Sequence, residues 1–504
     1  MDRIRVEAAF VRDAQSSGQF LKWLVRVSVN AARRLLLTTL HRRQASVASP
    51  SLPVRMQPEP PVSVATLGPM ADAVLPPTRD VRQGLGQHPV DVVIAEKSRE
   101  TRHIPFPTVF LSNNMALAVP ALDLRQHNPV GWRRTFKDSV AALGPLDRLP
   151  AETRANRVVG ASDVELIRHC HHLEDTDAFH EHPLDRARTL IRLAAAGVPI
   201  QVVDNDPKLQ RLLGDGLHDL MKTCIRDADA LTRELHSIRL RRIVLRDHSR
   251  DGRIRQICRA ASVVPPPLPS VSILLATNRP KFVRRALANV ARQNYPELEL
   301  VLALHGDGFD DGAIEGATAQ LDCHVEMIRL PSQRPLPAVL NAASHTACGT
   351  ILTKMDDDDL YDAEHTWDLV LAQEYSGAHL VGKGAEVFYL QESDQTVERP
   401  SRAESYSTNV AGGTLTITRD DLMSIGGWDG VPPGVDRTLI DTVVRHGGIV
   451  YRTHGRGYII MRHGRHSWSV ADQYFLDQAV SVQAGWRGSW GGFDIPQPAR
   501  IDSE

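Results

Sequence analysis

From Val271 onward, short apolar runs alternate with stretches of helical periodicity, and this alternation constrains the fold more than any other feature. The predicted strands are VSILLA, LELVLAL, HVEMIRL and GTILTKM, and the predicted helices between them include PKFVRRALANVARQ and PAVLNAASHTA. Strands that alternate with helices form a mostly parallel sheet with helices on both faces. The sequence therefore predicts an α/β fold in this part of the chain, with ligands bound beyond the carboxyl ends of the strands.

Two proline-rich stretches divide the chain, whose 504 residues suggest two or three domains at roughly 150 residues per domain. Proline-rich sequence favours extended linkers. The predicted units are an N-terminal extension, a linker, an accessory α/β or mostly helical domain, a second linker, a Rossmann-like α/β domain and a C-terminal tail, at residues 1–47, 48–79, 80–262, 263–270, 271–480 and 481–504.

The accessory region contains one clear step from helix to strand. Residues 184–204 read LDRARTLIRLAAAGVPIQVVD, a helix rich in alanine and leucine that stops at Gly197 and is followed by an apolar strand. A second strand is predicted at DVVIA, from Asp91. The histidine-rich segment HCHHLEDTDAFHEH, which includes His169, could bind zinc by its residue types, but its spacing matches no standard zinc module. A solvated polar segment is the preferred interpretation.

Charge and cysteine content limit the partners and the compartment. The chain has 59 basic and 60 acidic residues, so no strong overall field attracts it to nucleic acid, and no nucleic-acid partner is expected. Its five cysteines are widely spaced and include no CxxC. This pattern favours reduced thiols and a cytoplasmic location over a disulfide framework.

The N-terminal extension has apolar residues at helical spacing among arginines, which is compatible with a basic amphipathic helix. Charged residues such as Lys22 and Arg26 leave no apolar run near the roughly 20 residues that a membrane span requires. Three alternatives stay open: peripheral contact with the inner face of the plasma membrane, a helix packed on the body of the protein, or a disordered extension.

Four consecutive carboxylates, Asp356 to Asp359, follow the predicted strand GTILTKM. Two like charges about 4 Å apart repel by roughly 1 kcal/mol in water and by roughly 4 kcal/mol at an effective dielectric constant of 20. Such a cluster at a strand end indicates a cation site or a solvated turn. The turn would cap the following helix, AEHTWDLVLAQE.

From Val271 to about Tyr474 the chain resembles family 2 glycosyltransferases of the type A fold. The resemblance is carried, in this order, by VSILLATNRP, ARQNYPELELVLALHGDG and LPAVLNAASHTACGTILTKMDDDD. It implies a nucleotide-sugar donor, with a UDP-sugar expected, and Mn²⁺ or Mg²⁺ as cofactor, since these cations prefer carboxylate and phosphate oxygens. Residues 184–204 resemble, more weakly, part of a type B glycosyltransferase.

The resemblance also assigns the metal site and the base. Its DxD pair is Asp356 and Asp358, which share one side of an extended backbone, while Asp357 and Asp359 point away toward solvent or a helix cap. Asp358 is the direct metal ligand, and Asp356 lies nearer the ribose or a metal-bound water. The remaining assignments are His463 as a metal ligand, with His466 as its rival, and Asp436 as the general base, with Asp441 as its competitor.

Further residues are expected to contact the donor, and two positions depart from the family pattern. The expected donor contacts are Thr277, Asn278, Arg279, Asp307, Asn341, Asp356, Gly412 and Gly413, with Arg462 and Arg465 near the phosphates. Leu304 and His305 replace two acidic residues that are common in the family, which leaves the nucleotide base open. Val435 precedes Asp436 where a glutamate is usual.

Taken together, these features predict a cytoplasmic, metal-dependent, inverting glycosyltransferase. It would transfer a sugar to a hydroxyl of a growing glycan in the biosynthesis of cell-surface, cell-wall or extracellular polysaccharide. Two alternatives stay open. A nucleotidyltransferase uses similar folds and metals, although ATNRPKF lacks the glycines of a phosphate loop. A non-catalytic, transferase-like scaffold that binds a glycan would explain the two departures.

Overall fold

The computed structural model describes residues 64–67, 92–95, 108–132, 159–160, 163–164, 167–168, 170–175, 182–431, 434–463, 470–492 and 495–497. The described residues up to 444 and from 448 onward belong to one compact unit. The predicted N-terminal helix lies outside the described residues.

The first part of the unit contains two small parallel sheets. One contains β1, β2 and β3, at Val64–Leu67, Val92–Ala95 and Thr108–Phe110. The other pairs β4 with β5, at Leu173–Asp175 and Ile200–Val202, and helix α1 connects them at Pro183–Ala195. Between α1 and β5, Gly197 has a φ of 90°, and a Cβ there would lie 2.7 Å from Trp132. The predicted step from helix to strand is therefore present, and its turn requires glycine.

A helical layer follows β5 in the chain. It comprises α2, α3, α4 and α5, at Pro207–Leu213, Asp215–Met221, Ala230–Asp247 and Arg250–Ala260. Polar side chains cap three of these helices: Asp206, Asp229 and Ser249 accept backbone N–H groups in the first turns of α2, α4 and α5. Such caps satisfy donors that have no partner within the helix.

Beyond Val271, strands and helices alternate as the sequence predicts. The elements are β6 (Val271–Thr277), α6 (Pro280–Ala291), β7 (Leu298–His305), α7 (Asp311–Thr318), β8 (His324–Leu330), α8 (Leu336–Thr346) and β9 (Ile351–Met355). Proline occupies the first turn of α6 and of α8, where its missing N–H removes no helical hydrogen bond.

The chain then builds the rest of the fold. The elements are β10 (Leu360–Tyr361), α9 (His365–Ser376), β11 (Leu380–Lys383), β12 (Val387–Leu390), β13 (Gln395–Glu398), β14 (Ser405–Tyr406), β15 (Thr416–Thr418), α10 (Arg419–Ser424), α11 (Val435–Arg445), β16 (Val450–Thr453), β17 (Tyr458–Arg462), α12 (Asp472–Leu476), β18 (Ser481–Ala484) and α13 (Gly488–Gly491).

From β6 onward, the described strands form a large sheet and a smaller one. The large sheet has eight strands in the order β14-β16-β11-β15-β9-β6-β7-β8. Most of these strands run in one direction, while β15 is antiparallel to both of its neighbours. This arrangement confirms the predicted mostly parallel α/β sheet. The second sheet has the order β10-β17-β12-β13-β18 and was not predicted from the sequence.

One hydrophobic core contains side chains from both sides of the proline-rich stretch 263–270. Leu240, Val244 and Leu245 of α4 belong to the same buried cluster as Trp367 and Leu371 of α9. The helical layer and the large sheet therefore share apolar surface that either would expose alone. Within the described residues, no helix is both long and apolar enough to cross a bilayer.

Candidate active site

The four aspartates after β9 occupy four different environments at the carboxyl ends of the strands. β9 pairs in parallel with β6, with Met355 opposite Leu275, so the loops that follow the two strands meet. Asp357 accepts hydrogen bonds from the Thr277 hydroxyl and from Arg279 Nε, the latter at 3.1 Å. Burial raises the pKa of Asp357, and the Arg279 guanidinium opposes that shift.

Asp359 connects this segment to the second sheet. Its carboxylate accepts hydrogen bonds from the Tyr458 hydroxyl and from the backbone N–H of Met461, the latter at 3.0 Å. Burial raises its pKa well above the ordinary value, and the charges of Asp358 and Asp356 add to the effect. The carboxylate thereby holds the start of β17 against the aspartate segment.

The prediction that Asp357 and Asp359 face solvent or a helix cap is wrong. Both side chains are 3% exposed and are hydrogen-bonded to other strands and loops. The period of two applies to extended backbone, but β9 ends at Met355 and residues 357–359 bend. The bend allows neighbouring carboxylates to face different partners.

Asp358 and His463 lie next to each other, as their predicted shared role requires. His463 Nε2 is 3.1 Å from Asp358 Oδ2, and Arg279 Nη1 is 2.8 Å from the same oxygen. The His463 ring packs on Phe282 with 5.2 Å between ring centroids. A carboxylate and an imidazole thus converge at the end of β17, with a guanidinium beside them.

Asp356 is engaged separately from that pair, by a buried lysine. Lys354 Nζ lies 2.6 Å from Asp356 Oδ1 and 3.2 Å from Asp436 Oδ1, and it donates to the Gly412 carbonyl at 3.3 Å. Burial raises the pKa of Asp356 to about 6, against the opposing effect of Lys354. Burial lowers the pKa of Lys354, but the two carboxylates raise it by more than burial lowers it. The net shift is therefore upward.

The predicted glycine pair lies where larger residues do not fit. A Cβ on Gly413 would lie 2.8 Å from Asp356 Oδ2 and 2.9 Å from the hydroxyls of Tyr361 and Tyr458, and one on Gly412 would collide with the Asp436 carboxylate. Tyr361 accepts the Asp356 N–H at 2.8 Å and donates to the Gly413 carbonyl at 2.9 Å. The glycines therefore line the cluster that contains Asp356 and Asp436.

The two candidate bases on α11 face different surroundings. Asp436, in the first turn of the helix, contacts Lys354. Asp441 pairs with Arg437 on the same helix, at 2.8 Å from Nη2, and its side chain is 47% exposed. Of these two carboxylates, only Asp436 is linked to the aspartate segment among the described residues. The link is Lys354, which contacts both Asp436 and Asp356.

Other predicted donor contacts lie at the same end of the sheet or support it. Asn278 and Asp307 are exposed, after β6 and β7 respectively. Asn341 binds a turn instead: its amide donates to the Trp428 carbonyl at 2.8 Å and accepts the Trp428 N–H at 2.8 Å. Donor contact by these three residues stays a prediction. Arg462 stacks on Phe475 at 4.9 Å, and His466 and Arg465 lie outside the described residues.

The sequence analysis missed Lys354, Tyr361 and Tyr458 as site residues. Lys354 carried a usable signal, since a lysine within an apolar strand requires a buried partner for its charge. The partner is remote in sequence, and only the fold supplies it. The tyrosines carried no local signal that separates them from core aromatics.

The histidine-rich segment departs from its predicted solvated character. His172 is 1% exposed and lies 3.2 Å from Glu174, and Cys170 is also buried. His169 and His180 lie outside the described residues. Over the part of the chain that the structure describes, no three His, Cys, Asp or Glu side chains are grouped so that they could hold a metal ion.

Comparison with known proteins yields one family match. The model of glycosyl transferase family 2 matches residues 272–407, a range that ends before Asp436 and His463. Among solved structures, the chain is similar to the mannosyltransferase PcManGT from Pyrobaculum calidifontis, in complex with GDP-Man and Mn²⁺. The two sequences are 20% identical, and the TM-score is 0.30. The similarity covers 42% of this chain and 62% of the mannosyltransferase, so the chain spans less than two thirds of that protein's length. No curated protein matches the chain.

The family match confirms two predictions for the C-terminal half of the chain. Residues 272–407 match the family 2 glycosyltransferase model, as the resemblance implies, and the strands of this range lie in the predicted mostly parallel α/β sheet.

Proposed function

We propose that this protein is a metal-dependent, inverting glycosyltransferase that transfers a sugar from a nucleotide-sugar donor to a hydroxyl of a glycan. The observation that carries the proposal is the meeting of Asp356 with Asp436 around Lys354 at the carboxyl ends of the strands. A separate pair joins Asp358, on the same aspartate segment, to His463 after β17. Transfer with inversion requires a base and stabilisation of the leaving group, and the two clusters offer one group for each.

The residues present fit a divalent cation that the donor helps to bind. Asp358 and His463 are a carboxylate and an imidazole within 3.1 Å of each other, and both groups are suitable ligands for Mn²⁺. Asp356 is held by Lys354 and is not grouped with them. Magnesium-type sites commonly use one or two protein ligands and complete their shell with substrate phosphates and water. Asp358 and His463 would therefore be the protein ligands of the metal, and the donor phosphates and water would supply the other ligands.

In the proposed reaction, the Asp436 carboxylate accepts the proton of the acceptor hydroxyl. The acceptor oxygen forms its bond to the anomeric carbon while the bond from that carbon to the diphosphate oxygen breaks, and the electron pair leaves with the diphosphate. A positioned base of this kind contributes about 10²–10⁴ in rate. The divalent cation, when bound, stabilises the negative charge of the leaving diphosphate.

The rest of the site would hold the donor. Thr277 and Arg279 at the end of β6 are candidates for contacts with the nucleotide, and Gly412 and Gly413 leave room for the sugar beside Asp356. A UDP-sugar as donor, a polysaccharide of the cell surface or cell wall as product, a cytoplasmic location and membrane contact by residues 1–47 remain parts of the proposal. They rest on the sequence analysis.

A donor screen tests the proposed function. The full chain, purified and supplied with Mn²⁺ and a panel of nucleotide-sugars, is expected to release nucleoside diphosphate slowly without acceptor. Asp358→Asn should abolish that release, and Asp441→Asn, at a surface ion pair, serves as the matched control. Release of pyrophosphate would indicate a nucleotidyltransferase. Silence across the panel, in a protein that is folded by circular dichroism, would overturn the proposal in favour of a scaffold.

A further inference from the structure

A cavity of about 560 Å³ opens in the helical layer before β6 and is lined by none of the residues of the candidate active site. Its walls come from residues 113–117, the turn between α2 and α3, the end of α4 and the face of α5. The polar side chains that matter in it are Arg211, Asp215, Asp247, His248, Arg253 and Gln256. A volume of this size lies within the range of about 300–1,000 Å³ that small-molecule sites occupy.

Arg253 lines this cavity as a buried cation that has no carboxylate partner within the described part of the chain. Its side chain is 1% exposed. One terminal nitrogen donates to Gln256 Oε1 at 2.9 Å and the other to His248 Nδ1 at 2.7 Å, whereas Nε has no partner among the described residues. Both partners are uncharged groups, since burial and the nearby Arg253 lower the pKa of His248 well below its ordinary value.

Three other buried arginines of this chain are arranged differently. Arg186, Arg242 and Arg456 each contact at least one carboxylate: the Arg186 guanidinium holds Asp175, that of Arg242 holds Asp368, and that of Arg456 holds Glu234. A charge buried without such a partner is costly. Asp247, an acid on the cavity wall, raises the pKa of Arg253, but burial lowers it by more, and the Asp247 carboxylate lies 3.3 Å from Arg246.

The unused hydrogen-bond donors of Arg253 match an oxyanion. A guanidinium presents five N–H groups, and two of those on Arg253 are used, which leaves Nε–H and one N–H on each terminal nitrogen. Paired N–H groups of this kind bind two oxygens of a phosphate or carboxylate. Arg211, an exposed cation on the wall of the same cavity, adds a second positive charge.

We propose that this cavity binds a small molecule through a phosphate or carboxylate group that pairs with Arg253. The cavity is larger than an inorganic anion, so the ligand carries an organic part that packs beside Leu213, Leu217 and Ile243. The site shares no residue with the proposed donor site, and the proposal for it does not depend on the proposed glycosyl transfer.

Thermal unfolding in the presence of simple anions tests this site. The full chain is titrated with inorganic phosphate, glycerol 3-phosphate and succinate at constant ionic strength, with EDTA present so that no metal links phosphate to the aspartate segment. A saturable rise in Tm with at least one of them is expected, because a ligand that binds only the folded state stabilises it. The phosphates and succinate distinguish the two oxyanion classes.

Arg253→Met should abolish the saturable rise, while Arg259→Met, at an exposed position on the same helix, should preserve it. Arg253→Lys keeps the charge without the paired donors and should shift the midpoint to about tenfold higher concentration. This second variant preserves the test if Arg253→Met does not fold. Equal titrations for the wild type and the Arg253 variants, or no saturable rise in the wild type with any of the three anions, would overturn the proposal.

Discussion

The ammonium group of Lys354 lies 3.2 Å from Oδ1 of Asp436, although the two residues are 82 positions apart in the chain. The same ammonium contacts Asp356, so one buried cation holds the carboxylate of the proposed base beside the carboxylate expected near the donor ribose. The contact also fixes α11 against the end of β9. We expect both catalysis and stability to depend on it.

Removal of this cation should couple to removal of its partner. Lys354→Met leaves the carboxylates of Asp356 and Asp436 facing each other, which should destabilise the fold. In the double variant with Asp436→Asn that repulsion is absent. The free energies of unfolding should therefore show a coupling of about 0.5–3 kcal/mol in a double-mutant cycle measured by urea denaturation. Additive effects would mean that the contact contributes nothing to stability.

Asp436 and Asp441 can be separated by matched substitutions on one helix. Asp436→Asn is expected to reduce sugar transfer by about 10²–10⁴ while donor binding stays within a few-fold, because only the proton acceptor is lost. Asp441→Asn breaks an exposed pair with Arg437 and should leave transfer nearly unchanged. Transfer rates with acceptor and donor affinities by calorimetry give the comparison. The reverse ranking would assign the base to Asp441.

The role of His463 should be visible in the metal dependence. If its imidazole is a ligand beside Asp358, then His463→Ala should raise the Mn²⁺ concentration for half-maximal activity by about tenfold or more, because one ligand is lost. Phe282→Leu, which changes the packing of the ring but keeps the imidazole, is the control. Titrations of activity with Mn²⁺ after removal of metal by EDTA measure the shift. If the Mn²⁺ concentration for half-maximal activity were unchanged in His463→Ala, the histidine would not be a metal ligand and would only orient Asp358.

Arg242 joins the helical layer to the segment that follows the aspartates. Its Nε and one terminal nitrogen each lie 2.7 Å from the carboxylate oxygens of Asp368, and it also contacts Asp362 at 3.3 Å. Arg242→Met leaves both acids without this partner and should lower the free energy of unfolding by about 3–5 kcal/mol. Arg246→Met on the same helix breaks half-exposed pairs and should cost about 1 kcal/mol or less. Chemical denaturation compares the two, and equal losses would contradict the prediction.

Glu374 should make stability depend on pH near neutrality. Burial raises its pKa to about 7, Asp251 adds to the shift, and Arg255 and Arg125 oppose it. The folded state therefore binds the proton more tightly than the unfolded state, whose glutamate has a pKa of about 4.3. Stability from this group is fully present below about pH 4, and it is lost as pH rises through 7.

The isosteric Glu374→Gln variant removes this titration. Its free energy of unfolding should equal that of the wild type near pH 4 within error and should exceed it by about 2–4 kcal/mol at pH 8. Denaturation curves at intervals of half a pH unit provide the measurement. Parallel pH profiles for the two proteins would show that the carboxylate ionises without cost in the folded state.

The sequence predicted the part of the fold that local patterns encode. The strands from Val271 to Met355 and the helices between them carry period-two or period-3.6 signals within a few residues, and the structure confirms them. The second sheet was missed because its pairings are remote: β12 lies beside β17, with Val387 opposite Ile459. No short window of sequence contains both strands.

The same distinction applies to the candidate site. Asp356 to Asp359 stand together in the sequence, so a cluster at a strand end could be predicted, although a bend overturned the expected directions of two side chains. The partners of the cluster come from elsewhere in the chain. Lys354 reaches Asp436 and Asp358 reaches His463 only because the ends of β9 and β17 meet the start of α11 at one edge of the fold. Sequence spacing alone carries no information on such contacts.

The position of β15 between β9 and β11 has a consequence during synthesis of the chain. β9 and β11 are both synthesised before Thr416–Thr418, the strand that fills the gap between them. At about 5–20 residues per second, the edge of β9 that β15 covers stays unpaired for several seconds. Open strand edges recruit other strands. Aggregation of this protein during expression should therefore depend on translation speed between residues 383 and 416, and less on the final stability of the fold.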